Sequence, residues 1–145
     1  AGAKEKKLRL KVITPTEIKV DENVDMVIFR AINGDMGVMP NHQEAVAILD
    51  DGILRIIDGG TERVMAVFGG LAKVADNEVK ILTRSAQWPE DIDRAQAERD
   101  RVKAELLLKE RTDDMLMKGY QVSLRRALVR IEVSSYPAMS KMDDE

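Results

Sequence analysis

The sequence predicts an α+β protein, with an N-terminal β-sandwich (flattened barrel) over residues 8–86 and a C-terminal antiparallel α-helical hairpin over residues 89–134. Short apolar runs with a period of two fill the first part and are separated by turn residues. After Trp88-Pro89 the apolar period becomes helical. Charged residues make up 34% of the chain, and many of them lie in the last third, which suits exposed helices. The polar ends, residues 1–7 and 135–145, are expected to be flexible.

The sandwich prediction depends on the strand candidates and on the turns between them. Asn33-Gly34-Asp35 is a turn signal, and Asp58-Gly59-Gly60 is a hairpin signal. Gly69-Gly70 predicts a tight strand bend or close backbone packing. The strand candidates are residues 8–13, 24–30, 36–40, 53–57, 63–68, 71–75 and 79–82. Several short strands at this spacing are typical of a sandwich or flattened barrel.

The helical part reads as two helices, roughly 90–110 and 113–133. Pro89 suits a first helical position, and the acids that follow suit the positive end of a helix dipole. Thr112-Asp113-Asp114 predicts an N-cap and an acidic first turn for the second helix. Each helix carries an apolar stripe expected to be buried in the hairpin. The stripe of the first helix is interrupted by Arg99 and consists of Ile92, Ala95, Val102 and Leu106, and that of the second consists of Met117, Tyr120, Leu124, Ala127 and Ile131.

The joint between the helices, residues 109–115, contains neither glycine nor proline. It can cap a helix but does not forbid one. If the joint became helical, residues 90–133 would span roughly 66 Å at 1.5 Å per residue. Narrow apolar stripes predict modest burial, which favours an arm that can open. A static hairpin with a solvated outer face fits the same sequence, and both interpretations remain open at this point.

Composition excludes several function classes. The chain has no cysteine and one histidine, His42, so thiol chemistry, disulfides and cysteine- or histidine-rich metal sites are not expected. A net charge of −3 argues against a nucleic-acid partner. No apolar run approaches the roughly 20 residues that span a bilayer. No nucleophile motif or phosphate-binding loop is present, so no catalytic residue is predicted.

Polar residues of the helices offer one candidate pairing. Arg126 and Arg130 are spaced four residues apart on one helix face, and Arg125 lies beside them. In an antiparallel hairpin, Asp93 is expected to lie near Arg126 or Arg130. The pair is either a surface ion pair of little energetic value, part of a basic patch for an acidic protein partner, or a set of phosphate contacts.

Residues from about Leu8 to about Val133 resemble the epsilon subunit of F-type ATP synthases, of the bacterial and chloroplast kind. The element Asn33-Gly34-Asp35-Met36-Gly37-Val38-Met39-Pro40-Asn41-His42 is the most specific match. The other matching segments are Val12-Ile13-Thr14-Pro15, Gly52-Ile53-Leu54-Arg55-Ile56, Phe68-Gly69-Gly70, Val79-Lys80-Ile81-Leu82, Glu90-Asp91-Ile92-Asp93 and Leu124-Arg125-Arg126-Ala127-Leu128-Val129-Arg130.

The resemblance implies a non-catalytic subunit of the central stalk, which rotates with the gamma subunit and the c-subunit ring and couples ion flow to ATP synthesis. It places the protein peripherally at the cytoplasmic face of the bacterial membrane. Gly34, Asp35 and Met36 would face the ring, and His42 would lie near gamma and the ring. An extended arm would reach the alpha and beta subunits and restrain ATP hydrolysis. Arg125, Arg126 and Arg130 are the candidates to contact an acidic loop of beta.

Some members of this family bind ATP in the folded hairpin, through Ile/Leu-Asp-x-x-Arg-Ala, an upstream acid and two arginines. The matching residues here are Ile92, Asp93, Arg126 and Arg130. Gln96 stands where the motif has arginine, and Gln87 stands where it has the acid. Each loss removes a charged hydrogen bond of about 1.5–3 kcal/mol. The resemblance therefore implies weak or absent ATP binding and no tightly bound cofactor. An ATP-sensing module is the alternative function, and an independent enzyme finds no support in the motifs.

Overall fold

The computed structural model describes residues 7–137 and 140–141. Ten strands form a nearly closed sandwich, as predicted, and two helices follow it. In chain order the strands are β1 (Leu8–Ile13), β2 (Ile18–Val24), β3 (Met26–Ala31), β4 (Gly34–Val38), β5 (Ala45–Leu49), β6 (Gly52–Asp58), β7 (Thr61–Val67), β8 (Gly70–Ala75), β9 (Glu78–Leu82) and β10 (Ala86–Gln87). A 3-10 turn (Pro89–Asp91), α1 (Arg94–Lys109), α2 (Asp114–Ser134) and a two-residue strand, β11 (Ser140–Lys141), complete the fold.

The strands form one curled sheet in the order β10-β7-β6-β3-β5-β8-β9-β1-β2, with β4 on β3. All neighbours are antiparallel except β1 and β9, which are parallel. The Asp25 N–H donates to the Ile57 carbonyl at 2.9 Å, and Arg63 of β7 forms an ion pair with Glu22 of β2. These contacts bring the far end of the sheet back beside β6 and β7, so the sandwich almost closes.

The core follows the period-two pattern of the strands. Leu8, Leu10 and Val12 of β1 are fully buried, and the residues between them are partly exposed. Leu54 and Ile56 of β6 repeat the pattern. Because alternate side chains of a strand point to opposite faces, these residues fill one continuous core between the two layers.

Gly70 permits a close approach of two backbone segments. Its φ is +117°, and a Cβ atom added there would lie 2.0 Å from the Leu82 carbonyl oxygen. Gly69, with φ +69°, shares the bend. The structure thus confirms that Gly69-Gly70 serves tight backbone packing.

The first helix starts four residues later than predicted. Pro89 occupies the first position of the 3-10 turn and not of a long helix. Ile92 then adopts an extended conformation and is buried, which takes the chain out of helical geometry. Asp93 restarts it as the N-cap of α1, since its side chain accepts a hydrogen bond from the Gln96 N–H.

The predicted apolar face of α1 is wrong. Ala95, Val102 and Leu106 are exposed, the last two by 45% and 57%. The buried residues of α1 are Ala97 and Ala104. Small side chains let two helices approach closely, so the position of α2, and not the larger apolar residues, selects the buried face.

The second helix agrees with its predicted pattern. Asp113 caps it by accepting hydrogen bonds from the N–H groups of Met115 and Leu116. Ala127 is fully buried, and Met117, Tyr120, Leu124 and Ile131 are half-buried. The joint before α2 turns at Arg111, whose φ is +54°.

Part of the C-terminal end, residues 135–137 and 140–141, is described by the structure. We expected residues 135–145 to be flexible, but Ser140–Lys141 pairs with Thr61 and Glu62 at the edge of β7. Tyr136 packs against the residues that join α2 to the sheet, and Lys7 at the other end contacts Asp25 and Asp58. The remaining residues of the predicted ends lie outside the described residues.

Candidate functional site

The helical arm, residues 89–134, is attached to the sandwich by a small apolar cluster. This docking cluster consists of Val64, Ala66, Phe68, Ile92 and Val133, all buried. Val64 and Ala66 lie on the outer face of β7, because their neighbours Met65 and Val67 point into the main core. The cluster therefore holds the C-terminal part of α2 against β7, while α1 packs mainly on α2.

Two arginines of α2 meet one buried carboxylate of the sandwich. Asp51 lies in the turn between β5 and β6, and its side chain is 5% exposed. Its Oδ2 atom is 3.1 Å from Arg126 Nε and 3.5 Å from Arg125 Nε. Asp50, the preceding residue, is 4.0 Å from Arg125 and more exposed. The predicted functional arginines are thus engaged within the chain when the arm is docked.

Arg130 forms a separate attachment. Its Nε donates to Gln87 Oε1 at 2.8 Å, and its guanidinium stacks over the Phe68 ring at 4.5 Å. Burial lowers the pKa of Arg130, since it disfavours the charged form. The stacked, partly desolvated guanidinium ties α2 to both β10 and the docking cluster.

Asp93 does not meet either arginine, so the predicted pairing is wrong. Its carboxylate caps α1 instead. The Gln96 side chain turns along the helix, donating to Asp100 and accepting from Arg99, both at 2.8 Å. Capping a helix start competes for the same oxygens that an arginine of α2 would need.

A groove of about 670 Å³ runs between the two helices. Its basic lining residues are Lys103, Arg126 and Arg130, and Asp100 lies beside them. Ile92 is outside the groove, in the docking cluster. Of the predicted nucleotide residues, the structure therefore brings only the two arginines to one cleft.

The other predicted contact residues lie around strand β4. Asp35 is the exposed second residue of β4, just after the turn at Ile32-Asn33, and its carboxylate is 3.5 Å from Arg30 on β3. Met36 packs against the main core. His42 is half-buried, with Nδ1 2.7 Å from the Gln43 carbonyl. Gly34 and Asp35 are accessible to a partner, whereas Met36 serves mainly the core.

An exposed apolar surface, not recognised from the sequence, crosses five strands. Strand register places Ile48 opposite Leu71, Leu71 opposite Leu82, Leu82 opposite Ile13, and Ile13 opposite Ile18. We call these five residues the apolar row. Ile48 is 56% exposed and Ile18 59%. A register shift beside Ile13 turns Ile18 outward. The sequence signal was available: Ile48-Leu49 and Ile81-Leu82 put apolar residues at both parities of a strand.

A row of lysines runs beside the apolar row. Lys73 lies opposite Lys80, and Lys80 lies opposite Lys11. Lys11 has an ion pair with Glu78 at 3.2 Å. Like charges directly opposite one another destabilise a sheet by up to about 1 kcal/mol a pair. An arrangement that costs stability in the isolated chain suits a surface with an acidic counterpart.

Comparison with known proteins decides which family this architecture represents. The beta-sandwich domain of the ATP synthase delta/epsilon chain matches residues 7–89, and the long alpha-helix domain of the same chain matches residues 90–135. The chain belongs to the ATP synthase delta/epsilon family. It is accordingly a subunit of a rotary ATP synthase and not a free-standing enzyme.

Individual relatives agree. An ATP synthase epsilon chain of Caldicellulosiruptor bescii is 36% identical over 86% of this chain and 91% of that one. The chloroplastic epsilon chain of Calycanthus floridus is 38% identical over 86% and 95%. A chain in the Euglena gracilis mitochondrial ATP synthase, solved with OSCP, F1 and c-ring, superimposes with a TM-score of 0.79 at 25% identity, over 93% of this chain and 85% of that one.

The described residues show two further features relevant to this family. Residues 7–137 and 140–141 contain no group of acidic or histidine side chains placed to hold a metal ion. In the same part of the chain, neither helix is long and apolar enough to cross a membrane.

Proposed function

We propose that this delta/epsilon family member is the central-stalk rotor subunit that couples ion translocation through the c-subunit ring to ATP synthesis. It works at the cytoplasmic face of a bacterial membrane, as a peripheral subunit of the membrane-bound complex. In the same proposal its arm restrains ATP hydrolysis. The observation that carries the rotor assignment is the apolar row with its flanking lysines.

The apolar row fits a docking face for the gamma subunit. Five aliphatic side chains in register make a flat ridge across the sheet, and exposed contiguous apolar surface of this kind marks a protein interface. None of the five residues of the row belongs to the docking cluster, so a partner seated on the row does not have to displace the residues that hold the arm. Lys73 and Lys80 favour a gamma surface with carboxylates beside an apolar strip.

Gly34 and Asp35 are proposed to face the ring, and His42 to lie near gamma and the ring. Support comes from their position at the two ends of β4, since Gly34 and Asp35 begin the strand and His42 follows it. Within the described part of the chain, β4 pairs with β3 alone. Met36 is left out of this contact, because it packs on the core.

Two features support an arm that leaves the sandwich. α1 packs mainly on α2 and not on the sandwich, and its buried side chains are two alanines. Arg111 has a positive φ, which costs an L-residue about 1–2 kcal/mol, and a continuous helix would relieve this strain. In the extended form, Arg125, Arg126 and Arg130 are proposed to meet acidic residues of a beta subunit.

Co-purification with gamma tests the docking face. Ile48→Glu places a charge at the β5 end of the apolar row and should sharply reduce capture of gamma by the tagged chain. Leu106→Glu is the matched control, because Leu106 is 57% exposed, against 56% for Ile48, lies on α1 away from the row, and should leave capture unchanged. Normal capture by Ile48→Glu would contradict the docking face.

Hydrolysis by the assembled complex tests the arm. A chain ending before Glu90 keeps β10 and should raise ATP hydrolysis. Replacing Arg126 and Arg130 together should weaken the restraint, with an effect that depends on salt concentration. Unchanged hydrolysis in the truncated complex would exclude a restraining arm.

An ATP-sensing module is the second candidate, and the groove between the helices favours it. Its volume and its arginines suit a nucleotide. Against it, Arg126 and Arg130 are turned to Asp51 and Gln87, and Gln87 and Gln96 carry no charge. We therefore propose weak ATP binding or none. Micromolar affinity in calorimetry of the isolated chain would favour the sensing function.

A further inference from the structure

Asp51 is unusual among the described residues. Its carboxylate is buried, and no described lysine or arginine of the sandwich forms an ion pair with it. Asp51 and Thr83 are the only polar residues that burial removes almost completely from solvent in this part of the chain. The Thr83 hydroxyl has hydrogen-bond acceptors in the Phe68 and Ser85 carbonyl groups. The cations within 4 Å of Asp51 among the described residues are Arg125 and Arg126, both on α2.

A buried carboxylate is tolerated only when it is paired and hydrogen-bonded. The pairing here joins residues 75 positions apart, the turn between β5 and β6 and the middle of α2. The docked arm supplies the counter-charge of Asp51. When α2 leaves, the carboxylate loses that counter-charge and both arginines become free.

We propose that Asp51 is a latch: it holds the arm in the docked form by occupying Arg125 and Arg126, and it competes for them with acidic residues of a neighbouring subunit. The competition with a neighbour rests on the proposed function, whereas the latch within the chain does not. The balance between docked and detached arms is then set by a residue of the sandwich, outside the arm itself.

The other attachments of the arm have different chemistry. Arg130 is held by a neutral amide and an aromatic face, and the docking cluster is apolar. Neither offers a carboxylate that an acidic partner would mimic. Asp51 is thus the attachment at which a partner's carboxylate substitutes directly for the sandwich.

Hydrogen exchange in the isolated full chain tests the latch. Asp51→Asn keeps the side-chain shape and removes the charge, so amides of α2 should exchange about three- to tenfold faster, the range for a charged hydrogen bond between partly exposed partners. Asp50→Asn is the matched control, since it removes a charge from the same turn but lies 4.0 Å from Arg125. Its exchange should stay close to that of the unaltered chain.

A second variant covers the case in which Asp51→Asn disturbs the turn. Arg125→Gln with Arg126→Gln breaks the same contact from α2 and should raise exchange equally. If Asp51→Asn and this double variant both exchange like Asp50→Asn, the latch is overturned.

The assembled complex separates the latch from the proposed restraint. Asp51→Asn should lower ATP hydrolysis severalfold, because the freed arginines remain able to meet the partner, whereas the arginine double variant should not. Faster exchange with unchanged hydrolysis upholds the latch and overturns the competition with a neighbour. If deletion of the arm is also without effect on hydrolysis, the proposed restraint itself fails.

Discussion

Gly70→Ala tests the close backbone approach that shapes the β8 end of the sandwich. The added Cβ would lie 2.0 Å from the Leu82 carbonyl oxygen and 2.9 Å from the Thr83 Cα, and neither atom belongs to a side chain that can rotate away. The positive φ alone costs about 1–3 kcal/mol, and overpacking adds about 1–3 kcal/mol. The sum, about 2–6 kcal/mol, is a large part of the stability of a small domain.

The assay is urea unfolding of the full chain, followed by circular dichroism. Gly60→Ala is the control, because Gly60 also has positive φ (+81°) but an added Cβ meets nothing within 4 Å. It should cost only the conformational term, about 1–3 kcal/mol. A thermal melt should show the same order, with about 2–4 °C lost per kcal/mol for a chain of this length. If the two variants differ by less than about 1 kcal/mol, steric contact at Gly70 is not what requires glycine.

Three further predictions concern the docking of the arm, the affinity for ATP and the pH dependence of stability. Val133→Ala removes two methyl groups from the docking cluster, where Val133 is fully buried, and should cost about 2 kcal/mol of the free energy that docks the arm. Protease cleavage of the arm should become faster, while the unfolding midpoint of the sandwich stays unchanged. If the sandwich is destabilised together with the arm, Val133 does not act in docking alone. Gln87→Glu with Gln96→Arg should strengthen ATP binding at least about tenfold in calorimetry, and unchanged affinity would mean that these positions do not limit binding. Lys7 and the Gly59 N–H lower the pKa of Asp25, so this residue stabilises the fold above its ordinary pKa and loses that effect as pH falls through the lowered value. Asp25→Asn should therefore reduce stability at neutral pH, by less than about 1 kcal/mol because the side chain is 38% exposed. In acid unfolding the difference between the variant and the unaltered chain should shrink as pH falls through the lowered pKa of Asp25.

Local patterns predicted the elements that local physics controls. Alternation in Leu8–Ile13 gave the correct buried face of β1, and Asp113 capped α2 as its position indicated. The first helix shows the limit of such reasoning. Ile92 was assigned to a helical stripe, but burial in the docking cluster holds it in an extended conformation, so α1 begins only at Arg94.

The site was predictable in part. Spacing placed Arg126 and Arg130 on one helix face with Arg125 beside them, and the family resemblance made the three arginines candidates for a contact with beta, which stays a prediction. Their docked partners were not recognised, because Asp51 reads locally as an ordinary turn residue and Gln87 as the end of a strand. The exposed stripe of Val102 and Leu106 looks the same in sequence as a buried one. Periodicity shows that one face is apolar, but not whether a neighbour covers it.

The amino-acid order alone determined the two-part architecture, the caps, and the absence of cysteine chemistry, since each follows from residues close together in the chain or from composition. Only the tertiary structure decided that the buried side chains of α1 are two alanines, that five aliphatic side chains align across separate strands, and that Asp51 contacts arginines of α2. These features depend on distances between segments far apart in sequence. Such distances are set by the packing of the whole molecule, and no local pattern encodes them.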